Sequence, residues 1–92
     1  MSQRYAGSPE VRAELGAKRC FWSKRIYEAL GRKGMTATTL AYAIGLSKKS
    51  VGATILGRNH SPRVLDALRE VGVPEKYLFD PRRTDGDMLE ID

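Results

Sequence analysis

Lys48, Lys49 and Ser50 stand together in this chain, and Gly52 and Ala53 follow closely. A lysine ammonium can donate to guanine O6 or N7, a hydroxyl can bond several bases, and a small side chain admits close approach to base edges. Ala53 is also of a size to touch a thymine methyl. A glycine inside a helix costs about 1 kcal/mol relative to alanine. Gly52 is therefore either merely tolerated or kept for close approach, and only the second reading accounts for the cost. Thr36, Thr38, Thr39, Ser47, Arg58, Asn59 and His60 lie nearby and suit contacts to a nucleic-acid backbone. The threonines could equally serve only as helix caps. Other chemistry lacks its parts. The chain has one histidine and one cysteine, Cys20, so no zinc ligand set is available. No nucleophile–base pair or paired carboxylates stand out. The residues point away from an enzyme, and no catalytic residue, metal or cofactor is expected.

Positioning these residues needs two short helices and a sharp turn. Thr36 is read as the cap of the first, with Met35 and Leu40 spaced as a hydrophobic staple. Leu40, Ala41 and Ile44 give it a buried face. Gly45 supplies the left-handed residue of the turn. Ser47 caps the second helix, which runs to about Leu56 or Gly57. Val51, Thr54 and Ile55 share its inward face, and Lys49, Gly52, Ala53 and Leu56 lie opposite. This is the pattern of a helix-turn-helix, whose second helix enters the DNA major groove.

The flanks supply the rest of an all-α domain. Trp22, Ile26, Ala29 and Leu30 form the stripe of a helix over 22–30, with Trp22 read as a core anchor rather than a ligand platform. Ser61-Pro62 opens a further helix with Val64, Leu65, Leu68 and Val71 on its apolar face, ended by Gly72 and Pro74. Residues 74–79 suit one more turn, with Tyr77, Leu78 and Phe79 closing over the core. Residues 1–20 read as a flexible arm with a possible short helix over 9–19, weakened by Gly16. Its Arg4, Arg12, Lys18 and Arg19 either touch phosphate or are simply solvated. The expected organisation is thus an arm over 1–20, a helix-turn-helix domain over 21–81 and a disordered acidic tail over 82–92.

Charge is unevenly spread along the 92 residues. Residues 1–63 hold 12 Lys/Arg and 3 Asp/Glu, residues 64–83 hold 4 of each, and residues 84–92 hold 4 acids and no base. A basic body with an acidic tail fits an anionic polymer as partner. The tail either folds back to tune non-specific binding or is inert. The chain lacks an apolar run near the roughly 20 residues of a membrane span. The first residues show no apolar signal segment, so a cytoplasmic, nucleoid-associated protein is expected.

Trp22, Ile26, Leu30-Gly31-Arg32-Lys33-Gly34, Leu40-Ala41, Gly45-Leu46-Ser47, Ser50-Val51, Ala67-Leu68 and the ending Phe79-Asp80-Pro81-Arg82 together resemble the Ner family. These are small regulators of transposable phages, with Ner-like bacterial relatives, within the lambda-repressor-like group. The likeness covers about residues 21–83. The family usually ends in a Trp-Pro pair where this chain has Phe79-Asp80-Pro81. The resemblance implies a compact four- to five-helix domain that binds double-stranded DNA operators and represses transcription. Two copies per operator, and hence a homodimer on DNA, would follow, since one recognition helix covers only a few base pairs. The contrasting expectation is a protein-interaction adaptor on the same scaffold, with Tyr77-Leu78-Phe79 or residues 84–92 as its contact.

Overall fold

A computed structural model describes residues 9–82. All regular structure within that range is helical, as expected. Five α-helices follow in order, α1 Pro9–Phe21, α2 Ser23–Arg32, α3 Ala37–Ile44, α4 Lys48–Ile55 and α5 Pro62–Val71, and a 3₁₀ turn spans Glu75–Tyr77. The acidic tail and the first eight residues, Arg4 among them, lie outside the described range.

Local signals set most boundaries. Thr36 and Thr39 form a reciprocal capping box at the start of α3, and Gly45 ends it at φ 73°. Ser47 caps α4 through the Ser50 amide. Ser61 and Pro62 open α5, and Gly72 closes it at φ 114°. The glycines supply left-handed backbone that a Cβ would strain.

One apolar cluster joins α2 to the C-terminal segment. Ile26 and Leu30 from α2, Leu40 from α3, Val51 and Ile55 from α4, and Leu65 and Leu68 from α5 are buried in it. Leu78 closes the cluster from the C-terminal side, while Tyr77 packs on it half-exposed.

Two expectations need correction. The possible short helix over 9–19 is present as α1, but it is packed into the domain rather than part of a flexible arm, and it buries Val11, Leu15, Gly16 and Arg19. Val11, Leu15 and Arg19 fall at i, i+4 and i+8, so they share one face. Gly16 does not weaken α1 in isolation, because it is a contact point. A Cβ built on Gly16 would collide with the Gly57 carbonyl oxygen, and one on Gly57 with that of Gly16. Two bare backbones cross there and fix α1 against the end of α4.

Trp22 is the second correction. It caps α2 from outside the helix and is 36% exposed, not a core anchor. Its ring stacks on Tyr77 at 5.6 Å and meets the edge of Phe21 at 5.2 Å. Trp22 and Ile26 are one helical period apart, but Trp22 stands at the N-cap outside α2, and its ring rests on Tyr77 at the rim of the core.

Candidate nucleic-acid interface

The helix-turn-helix pair is built around Gly45. The Leu46 amide donates to Ala41 O at 3.0 Å, closing the end of α3. Arg63 at the start of α5 donates to the Ile44 carbonyl at 2.5 Å, so a third helix braces the turn. Ala41 is buried where α3 meets its neighbours, and Val51, Thr54 and Ile55 turn the inner face of α4 to the core. Lys48 and Lys49 are left exposed, with Ser50, Gly52 and Ala53 half-exposed on the same helix. These five residues are brought together as the sequence predicts.

The hydroxyl groups around them are partly committed. Ser47 Oγ accepts from the Ser50 amide at 3.0 Å and donates to Ser50 Oγ at 3.1 Å. Thr39 Oγ1 accepts from the Thr36 amide at 2.8 Å, and Thr36 Oγ1 accepts from the Thr39 amide at 3.1 Å. Capping is therefore the first task of Thr36, Thr39 and Ser47. All three stay exposed, as does Thr38 beside them. Phosphate oxygens only accept, so an exposed capping hydroxyl, whose oxygen takes the backbone amide, serves a phosphate by rotating its proton outward.

After α4 the chain turns inward more than expected. Arg58 is exposed, but Asn59 and His60 are engaged by the protein itself. Asn59 Oδ1 accepts a hydrogen bond from Thr54 Oγ1. His60 Nδ1 pairs with Arg19 Nη2 at 2.8 Å. A guanidinium can only donate, so this ring nitrogen must accept and His60 is neutral. Burial, then the charges of Arg19 and Arg12, lower its pKa from the ordinary 6.5. Asn59 stays exposed with its amide NH₂ as the donating end, while His60 is half-buried with Nδ1 turned to Arg19.

Arg19 is the residue that sequence reasoning misplaced. It is fully buried, not a surface phosphate contact. Nε donates to Leu78 O at 2.6 Å, and Nη1 to Thr54 O at 2.8 Å and Asn59 O at 3.0 Å. With His60 Nδ1 at 2.8 Å and Phe79 O at 3.1 Å, the guanidinium makes five hydrogen bonds. Burial pulls its pKa down to about 10, against the raising effect of Asp80, so it remains charged at neutral pH. Phe79 sits at φ 46°, a left-handed position uncommon for a large side chain. Arg19 holds the carbonyls on either side of that turn. No local pattern marks this role, because the acceptors are backbone atoms far along the chain.

The positive charge on the helix-turn-helix side is little neutralised within the described residues. Arg69 bonds Asp66 at 2.9 Å, Glu75 at 2.6 Å and Asp80 at 3.1 Å. Arg82 bonds Asp66 at 2.7 Å and the same buried Asp80 at 2.8 Å. Burial alone would raise the Asp80 pKa, but these hydrogen bonds hold it below the ordinary value. The ion pairs thus consume Arg69 of α5 and Arg82 of the C-terminal segment. Lys48, Lys49 and Arg58 have no carboxylate partner among the described residues.

No described helix is long and apolar enough to cross a membrane. No family model, curated protein or solved structure matches the chain.

Proposed function

We propose that the chain is a sequence-specific double-stranded-DNA-binding transcriptional regulator that represses by occupying an operator. The observation that carries this reading is the outward face of α4. Lys48 and Lys49 are exposed and have no carboxylate partner among the described residues, beside the small Gly52 and Ala53, on a helix set by a Gly45 turn. A basic, narrow helix face of this kind fits the major groove. Lys49, Lys48 and Ser50 read bases, with Gly52 and Ala53 allowing approach. Thr36, Thr38, Thr39, Ser47, Arg58, Asn59 and His60 hold phosphates. No cofactor is needed, since steric exclusion of polymerase suffices. Two copies bind a symmetric or repeated site, in the cytoplasm and on the nucleoid. The likeness to the Ner family, a lambda-repressor-like group, is part of the same proposal.

Selection of duplex DNA from a random pool at physiological salt tests it. An enriched motif with two half-sites is expected. Binding with no enriched motif would make the protein an architectural binder and reject operator recognition. Lys49→Ala is expected to cost about 1–3 kcal/mol on the selected site and to relax preference at one base pair. Unchanged preference would remove Lys49 from base reading.

The adaptor reading has one observation in its favour. Phe21 is 77% exposed and Tyr42 89% exposed, so each offers an aromatic ring to a partner. Its earlier candidate contact is weaker, because Leu78 is buried. A salt-insensitive protein complex, formed without DNA binding, would favour it.

A further inference from the structure

A cleft of about 640 Å³ opens between α1 and the loop that follows α4. Arg12 and Ala13 form one wall, and Arg58, Asn59 and His60 the other. Its position follows from the crossing of Gly16 and Gly57. Arg12 lies one helical turn before Gly16, on the same side of α1. Arg58 directly follows Gly57. The contact between bare backbones therefore brings both guanidinium side chains to one opening and holds the walls at a fixed separation.

The chemistry of the lining is one-sided. Among the described residues that line the cleft, none is a carboxylate. Neither Arg12 nor Arg58 has an ion-pair partner among the described residues. Asn59 Oδ1 is occupied by Thr54, which leaves the amide NH₂ as its donating end. His60 is neutral and fixed from behind by Arg19. Arg19 itself is spent on inward acceptors, so it adds positive potential without competing for a ligand. Two guanidinium forks and an amide donor, with Asp80 set back behind Arg19 and His60 rather than in the described lining, match the needs of an oxyanion.

We propose that this cleft is a phosphate-binding site, which takes one tetrahedral phosphate group between Arg12 and Arg58. The group comes either from the backbone of bound duplex DNA or from a free phosphorylated small molecule. The first source rests on the DNA-binding reading; the second does not. In the first case α1 extends the interface beyond the helix-turn-helix pair, and Arg12 becomes a backbone contact from a separate helix.

Titration of the isotopically labelled protein with inorganic phosphate, followed by NMR at the arginine Nε–H and Asn59 side-chain amide signals, tests the site. Saturable shifts in the millimolar range are expected. Arg12→Gln is expected to abolish them and to leave melting unchanged, because Arg12 is exposed. The same variant is then measured on duplex DNA over a range of salt. A slope of log affinity against log salt lower by about 0.9 assigns the site to one backbone phosphate. An unchanged slope with saturable phosphate binding assigns it to a free phosphorylated ligand. No saturable shift and no change of slope would overturn the proposal. Failure of the wild-type protein to bind any duplex would sink the DNA-binding reading, while the phosphate titration would still decide whether the cleft is a site.

Discussion

A Cβ built on Gly52 would meet only the Tyr27 hydroxyl oxygen, 4.0 Å away. Nothing inside the protein therefore requires glycine there, although a helix interior disfavours it. Gly52→Ala is expected to raise folding stability by up to about 1 kcal/mol in urea denaturation. Under the groove reading it also weakens duplex binding, since the added methyl stands between backbone and base edge. A variant that is more stable and binds equally well would show Gly52 to be tolerated rather than used. Arg19 behaves in the opposite way. Arg19→Met removes the guanidinium donor from the carbonyls of Asn59, Leu78 and Phe79, while the Thr54 carbonyl keeps the Gly57 amide. Each buried acceptor left unpaired costs about 1–3 kcal/mol, so the melting temperature should fall steeply. A small change would mean that water replaces the guanidinium. Lys48, Lys49 and Ser50 were legible as a group because a cap and a helical period place them. Arg19 was not, because a lone arginine among Lys18, Cys20 and other surface types carries no sign of burial.

Helices α3, α4 and α5 could be read in advance because their signals are local. A Thr or Ser cap, an apolar period and a closing Gly lie within a dozen positions of one another. Helix α1 lacks such a signature. Its buried face consists of Val11 and Leu15, then Gly16 and Arg19, so the apolar period runs out after one turn. What makes it part of the domain is a contact with Gly57, 41 positions later. Gly16→Ala is therefore expected to destabilise by about 1–3 kcal/mol, as overpacking does, even though alanine favours helices. Gly57→Ala adds strain at φ 82° to the same collision. If Gly16→Ala were neutral or stabilising in thermal melting, the crossing of the two backbones would be looser than described. The stacking of Trp22 on Tyr77 escaped notice for the same reason: a helical stripe predicts a face, not where the helix begins to turn.

Charge divides the molecule into two regions of different use. Asp66, Arg69, Glu75, Asp80 and Arg82 neutralise one another, while the lysines of α4 and the arginines of the cleft do not. Residues 64–83 were legible as neutral, but their mutual pairing was not, because Arg82 reaches Asp66 across 16 positions. The same charges shape the response to acid. The folded His60 has a pKa below the ordinary 6.5, so the unfolded chain takes up its proton first. Stability from this group is complete above about pH 6.5 and declines as the pH falls toward the folded value. Asp66 and Asp80, held below the ordinary 3.8 by Arg82 and Arg69, lose their contribution only in stronger acid. Urea denaturation from pH 7 to 5 should show the first decline, and His60→Gln should flatten it; an unaltered profile would move the effect to another group. The clasp on Arg19 has a further consequence in time. Its acceptors at Leu78 and Phe79 are 59 and 60 positions downstream. During synthesis α1 emerges first and waits for its last partners until nearly the whole described chain has been made. A ribosome that stops after Pro74 releases a product whose guanidinium has lost two of its acceptors and whose core lacks Leu78. Such a fragment should be digested at protease levels that spare the full chain, so the fold carries its own check that translation has reached the end of the domain.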